Sequence, residues 1–100
     1  IAGGVRINDP SIDLAVVCAI LSSYKNIPVS DRLMVFGEVG LVGEVRAVRQ
    51  AQLCIREGEK LGFDRCILPK ANMDPQMSAS KMLLQGVGNL QDIYKILTAQ

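Results

Sequence analysis

Three glycines at regular spacing interrupt a run of strand-forming residues in the middle of the chain. Gly37, Gly40 and Gly43 are interleaved with valine and leucine over residues 39–45. Glycine adopts backbone conformations that other residues avoid and lets two segments approach closely, so this pattern predicts a tight β-hairpin. A phosphate-binding loop would need the pattern GxxxxGK[ST] between a strand and a helix. Because both the spacing and the lysine are missing, we expect no ATP site in this chain.

Helices and strands are predicted on both sides of the hairpin. Short apolar or alternating runs indicate strands at residues 1–7, 33–36, 66–68 and 82–87. Helix-start and helix-stop signals indicate helices at residues 9–23, 48–61 and 89–97. Elements that are interleaved without strict alternation predict an α+β fold, built as a two-layer mixed sheet with helices, or alternatively a mixed α/β sheet. The 100 residues fit one domain, residues 1–100.

The predicted helix ends depend on residues with strong end preferences. Asp9, followed by a proline, predicts an N-cap and the first helical position. Gly62 predicts the end of the second helix. Asn89, with Asp92 three residues later, resembles a capping box that starts the third. The first helix is apolar throughout residues 14–21, so we expect most of its surface to be covered.

Composition excludes several classes of function. The chain contains no histidine, which rules out Ser-His-Asp and Cys-His mechanisms within it. The cysteines Cys18, Cys54 and Cys66 lack zinc-site spacing and are odd in number, so we expect free, buried thiols in a reducing, cytoplasmic compartment. The net charge of +1 means that any patch for nucleic acid must be local. No apolar run reaches the roughly 20 residues of a membrane span, and we expect no membrane partner.

Ser11 is a candidate nucleophile near the start of the first helix. The positive end of a helix dipole favours the negative charge that develops on an attacked carbonyl. Serine still needs a base, and without histidine the candidate is a desolvated lysine. The alternative is a serine that forms local hydrogen bonds in the first turn. Gln52 borders the buried side of the second helix, where its amide needs a polar partner or a water.

Basic residues on the second helix are candidates for phosphate contact. Offsets of seven and four residues place Arg49, Arg56 and Lys60 on one helical face, and Arg46 lies just before them. Nearby glutamates, at positions 57 and 59, can pair with these charges. A solvated face is therefore the default interpretation, and a phosphate-facing stripe is the alternative.

Several motifs, in order, resemble one known family. Residues 9–72 resemble the proteolytic domain of Lon proteases, with a serine-bearing turn and helix, a GE-x-x-L-x-G-x-V hairpin, a long helix ending in glycine, and a strand ending in I-x-P. The opening AGGVRI, the sequence Asp13-Leu14-Ala15 and the sequence FGEVGL resemble more closely the Lon-protease-like C-terminal domain of the bacterial RadA (Sms) DNA-repair ATPases. The resemblance covers essentially all of the chain and implies a Lon-type fold.

The resemblance implies a peptidase site that has lost its chemistry. In Lon proteases the nucleophile lies in a G-P-S-A-G turn, and Ser11 occupies its position here. The matching position for the Lon lysine holds Gln52, whose amide cannot take a proton from serine. Asp13 replaces the glycine of the turn, and its carboxylate opposes an oxyanion. We therefore expect no catalytic residue, with Ser11 and Gln52 at degenerate positions. An active Lon-type serine peptidase is the alternative.

The family also implies a role within a larger protein. RadA-type proteins resemble hexameric ring motors, in which a zinc-binding segment and a RecA-like ATPase precede the Lon-like domain and the motor drives branch migration. The chain lacks an initiator methionine, so we expect a fragment without its own cofactor, with ATP, Mg and Zn held by the missing domains. We expect a non-catalytic assembly and DNA-contact module. Its DNA contact should be weak and non-specific, through Arg46, Arg49, Arg56 and Lys60, or through another surface such as Lys70 and Lys81.

Overall fold

The computed structural model describes residues 9–75, 77 and 80–99 of the chain. A short 3₁₀ helix, Pro10–Ile12, leads into the first of the three α-helices in these residues, which are α1 (Asp13–Lys25), α2 (Ala51–Lys60) and α3 (Leu90–Thr98). The strands are β1 (Leu33–Val35), β2 (Glu38–Val39), β3 (Val45–Arg46), β4 (Arg65–Pro69) and β5 (Leu83–Val87). A second 3₁₀ helix, Lys70–Asn72, follows β4. The strand predicted at residues 1–7 lies outside the described residues.

Three of the strands form a parallel sheet in the order β1-β4-β5. In the ladder, Cys66 of the middle strand pairs with Met34 of β1 and Leu84 of β5. β2 and β3 form the predicted hairpin, an antiparallel pair with Val39 opposite Val45. Parallel and antiparallel pairs together with interleaved helices confirm the predicted α+β class.

Two hydrophobic cores lie on opposite faces of the sheet. The last four residues of β4 are buried and alternate between them. Ile67 packs with α1 and α3 in a core that includes Leu14. Cys66 and Leu68 pack with α2 through Ile55. The sheet therefore has helices on both faces, one layer more than the two-layer arrangement that we predicted, because a central parallel strand is apolar on both of its faces.

The predicted helix caps are confirmed. The Asp9 carboxylate accepts a hydrogen bond from the Ser11 N–H at 3.0 Å, at the start of the 3₁₀ helix that continues into α1. The Asn89 side chain accepts one from the Asp92 N–H at 3.0 Å. Gly62, just after α2, has a φ of 95°, the left-handed conformation that favours glycine at a helix end.

The expectation that α1 is covered on most sides is wrong. Leu14 and Cys18 are buried against the sheet. On other sides of the helix, Val16 is 49% exposed and Ile20 is 61% exposed. A helix beside a sheet buries one side, and within the described residues nothing covers the outer side of α1.

α2 is shorter at its start than predicted. The spacing predicted a helix from residue 48, whereas α2 begins at Ala51. Gln50, the residue before it, has a φ of 59°, a left-handed conformation that cannot continue a helix backwards. Arg49 therefore lies in the turn before α2 and not on its face.

Among the described glycines with positive φ, Gly37 has the least room for a side chain. Its φ is 155°, and a Cβ would meet Leu14 Cδ2 at 3.0 Å and Pro69 Cγ at 3.2 Å. We expect Gly37→Ala to lower the free energy of unfolding by about 2–4 kcal/mol, because backbone strain adds to overpacking. Gly62→Ala is the matched control, since its φ is also positive but nothing lies within 4 Å of the added Cβ. Gly62→Ala should lower the free energy of unfolding by about 1 kcal/mol. Urea denaturation that gave equal losses would contradict this account.

Candidate functional site

The serine turn is clasped to the start of the hairpin by backbone hydrogen bonds. The Gly37 N–H donates to the Ser11 carbonyl at 2.8 Å, and the Leu14 N–H donates to the Gly37 carbonyl at 2.9 Å. Gly37 thus binds both the 3₁₀ helix, at Ser11, and the first turn of α1, at Leu14. We call these two bonds the Gly37 clasp. It holds the turn rigidly against β2.

Asp13 extends the clasp with its side chain. Its carboxylate Oδ2 accepts a hydrogen bond from the Val39 N–H at 3.3 Å, from a residue 26 positions away. The sequence predicted only an electrostatic effect of Asp13 on an oxyanion and gave no sign of this contact. In the structure its carboxylate joins the first turn of α1 to β2.

The turn also lies close to α2, where the resemblance places the missing lysine. Burial raises the pKa of the Cys54 thiol on α2, and the nearby Asp9 carboxylate raises it further. Gln52 lies in the first turn of the same helix and is half-buried. Within the described part of the chain, no group accepts a hydrogen bond from the Ser11 hydroxyl. The structure thus brings the serine turn and α2 together, and no described residue accepts the hydrogen bond that a base for the hydroxyl would accept.

Asn72 positions the segment that leads into α2. Its side-chain oxygen accepts a hydrogen bond from the Val48 N–H at 2.9 Å, and its side-chain N–H donates to the Val48 carbonyl at 3.0 Å. The amide side chain therefore makes the two backbone hydrogen bonds that a neighbouring strand would make, with a residue 24 positions away. This role of Asn72 could not be predicted from the sequence, because its partners are backbone groups.

Two of the predicted DNA-contact residues are already paired with carboxylates. In the hairpin, Arg46 Nη2 lies 2.8 Å from Glu44 Oε2, and Arg46 Nη1 lies 3.6 Å from Glu38 Oε1. The hydrogen bond from Arg46 is the main cause that lowers the pKa of the Glu44 carboxyl. On α2, Lys60 Nζ lies 3.2 Å from Glu57 Oε2.

The other two predicted DNA-contact residues, Arg49 and Arg56, are exposed and have no ion-pair partner within the residues that the structure describes. Arg56 lies on α2, and Arg49 lies in the turn before it. The alternative of a phosphate-facing stripe assumed that the helix begins at residue 48, so Arg49 does not share a helical face with Arg56 and Lys60. Contact of these residues with DNA stays a prediction. Lys70 and Lys81, the alternative cations, are also exposed.

The expectation of free, buried thiols holds for two of the three cysteines. All three are free, with Cys18 and Cys66 buried and Cys54 half-buried. Burial raises the pKa of each, that of Cys66 to about 12. In the described part of the chain, no group of three potential metal ligands occurs, and no helix there is both long enough and apolar enough to cross a bilayer.

Comparison with known proteins identifies the family of the chain. The family model described as Subunit ChlI of Mg-chelatase matches residues 2–72, well over half of the chain. The chain belongs to this family. Within it, the Gly37 clasp and the Ser11 turn both lie inside the matched region.

Individual relatives of this ChlI-family chain are also similar over nearly its whole length. DNA repair protein RadA of Bacillus subtilis (strain 168) is 41% identical over 95 residues, which are 95% of the chain and 21% of that relative. DNA repair protein RadA of Escherichia coli (strain K12) is 42% identical over 96 residues, which are 96% of the chain and 21% of the relative. The chain therefore spans about one fifth of the length of these relatives.

The contact of Asp13 with Val39 can be tested by substitution. Asp13→Ala leaves the Val39 N–H without its acceptor, and we expect a loss of about 1–2 kcal/mol in the free energy of unfolding. Asp13→Asn is the matched control, because an amide oxygen can still accept the bond, and it should lose less than half as much. If urea denaturation shows both variants to be as stable as the wild type, the carboxylate is not a structural contact of this ChlI-family fold.

Proposed function

We propose that this chain is a non-catalytic assembly and DNA-contact module of a RadA-type protein that acts in DNA repair. The observation that carries the proposal is the identity of 41% and 42% to two proteins named DNA repair protein RadA, over 95% or more of the chain. Both relatives are about five times longer, which fits a module joined to further domains.

The finer proposal concerns the longer protein. In it, this module lies beside a RecA-like ATPase and a zinc-binding segment, which hold ATP, Mg and Zn. The whole forms a hexameric ring in the cytoplasm and drives branch migration during homologous recombination. The module contributes to ring assembly and contacts DNA weakly and without sequence preference, as phosphate contacts do.

A peptidase role is disfavoured by the serine turn itself. The Ser11 hydroxyl has no acceptor among the described residues, and an amide at position 52 cannot act as a base. The two carboxylates of the turn, Asp9 and Asp13, already accept backbone hydrogen bonds. The turn is therefore better suited to holding α1 in place than to attacking a carbonyl.

Serine-directed chemistry tests the loss of peptidase function. We expect a fluorophosphonate probe to leave Ser11 unlabelled in the native protein, because no base activates the hydroxyl. Gln52→Lys alone should remain inactive on peptide substrates, since Ile12 and Asp13 still shape the turn. Intact-protein mass spectrometry measures the labelling. Stoichiometric labelling of Ser11, or turnover by Gln52→Lys, would support the Lon-type peptidase instead.

The salt dependence of DNA binding tests the cations. In the full-length protein, the double variant Arg49→Ala/Arg56→Ala should flatten the slope of log affinity against log salt on duplex DNA by up to about 0.9 for each arginine. Arg46→Ala is the matched control, because its guanidinium is already paired with two carboxylates and should neutralise little phosphate charge. Fluorescence anisotropy measures both.

An unchanged slope in the double variant would assign the two arginines to a solvated surface. If Arg46→Ala flattened the salt slope as much as the double variant does, the ion pairs of the hairpin would have to open when DNA binds. Either result would contradict the assignment of the contact to Arg49 and Arg56.

A further inference from the structure

Both tyrosines of the chain lie on one surface, on either side of a lysine. Tyr24 is near the end of α1, and Tyr94 is in the middle of α3. The Lys25 Nζ lies 5.6 Å from the centre of the Tyr24 ring and 5.5 Å from the centre of the Tyr94 ring. These distances are within cation–π range. The rings are largely open to solvent, since Tyr24 is 77% exposed and Tyr94 is 42% exposed.

The charge around the rings is positive. Lys25 and Lys95 have no carboxylate within 4.0 Å among the described residues. The helices that carry the rings contain one acidic residue each, Asp13 in α1 and Asp92 in α3. Both lie in the first turn of their helix and accept backbone hydrogen bonds, from the Val39 and Gly88 N–H groups.

The surface continues into two grooves beside α3. On one side of Tyr94, an apolar groove between α1 and α3 is lined by Val17, Ile20, Leu21, Leu90 and Gln91. Lys95 also lines a second groove, together with Arg65 and Gln85. Two exposed aromatic rings, an apolar groove and two lysines without a carboxylate partner among the described residues therefore lie on α1 and α3.

We infer that Tyr24, Lys25, Tyr94 and Lys95, which we call the tyrosine surface, bind single-stranded nucleic acid. Bases stack on the exposed rings, and the two ammonium groups neutralise phosphates, which is how sequence-tolerant single-strand sites work. A duplex hides the faces of its bases and cannot stack in this way. The inference deepens the proposed DNA contact and rests on it, but it uses the face of the sheet opposite to α2.

Substitution of the rings in the full-length protein tests this. Tyr24→Leu and Tyr94→Leu keep apolar bulk and helix propensity but remove the stacking face. Each should weaken binding of a short fluorescein-labelled oligothymidine at least about fivefold. Tyr24→Phe and Tyr94→Phe should bind more tightly than the leucine variants. Leu61→Ala is the control for exposure, because Leu61 is also 77% exposed but follows α2 on the other face.

Two further measurements localise the effect. Ultraviolet cross-linking of the oligothymidine, followed by peptide mass spectrometry, should place adducts on Tyr24 or Tyr94. Lys25→Gln should reduce the salt slope of single-strand binding by about 0.7. Circular dichroism melting confirms that each variant is folded.

The outcomes separate this inference from the proposed function. If the leucine variants bind oligothymidine as the wild type does while Arg49→Ala/Arg56→Ala binds duplex DNA more weakly, the inference fails and the DNA-contact proposal stands. If neither the leucine variants nor the arginine double variant changes DNA binding, the inference and the DNA-contact proposal both fail. If the leucine variants change the mass of the protein in light scattering and leave DNA binding intact, the tyrosine surface is a protein interface and the inference is overturned.

Discussion

Two hydrogen bonds of Gly37 join the serine turn and the start of α1 to the residue that leads into the hairpin. Its N–H and carbonyl bind the Ser11 carbonyl and the Leu14 N–H at 2.8 and 2.9 Å. Leu14 is buried in the core between α1, α3 and the sheet, so the clasp determines where that core begins. A side chain at residue 37 would meet Leu14 and Pro69, and only glycine allows so close an approach. The position of the serine is thus a consequence of packing.

Local signals predicted much of the fold. Asp9, Asn89 and Gly62 act on their own neighbours in the chain, so their effects could be deduced from sequence. The contacts that complete the site could not, because they join distant residues. Asp13 reaches across 26 residues and Asn72 across 24, each to a backbone group that leaves no sequence signal. The start of α2 was mispredicted for a different, local reason, because the left-handed conformation of Gln50 ends the helix where the spacing alone would continue it.

The two surfaces that we propose for DNA contact lie on opposite faces of the sheet. The arginines that we propose for duplex contact lie on and beside α2, and the tyrosine surface lies on α1 and α3. A net charge of +1 leaves no general attraction for DNA, so each contact depends on a few cations without carboxylate partners. Arg46 differs from these cations, because its guanidinium already forms ion pairs with two glutamates of the hairpin. Repetition of weak contacts in an assembled ring would strengthen them through effective concentration.

We propose that the serine turn has a structural role and performs no chemistry. This proposal can be tested by the survival of DNA-damaged cells whose only copy of the full-length protein carries Ser11→Ala. We expect survival equal to that of wild-type cells, because the Gly37 clasp uses the Ser11 backbone and not its hydroxyl. Loss of survival with a Ser11→Ala protein that is folded, abundant and able to bind DNA would instead assign a catalytic role to the serine.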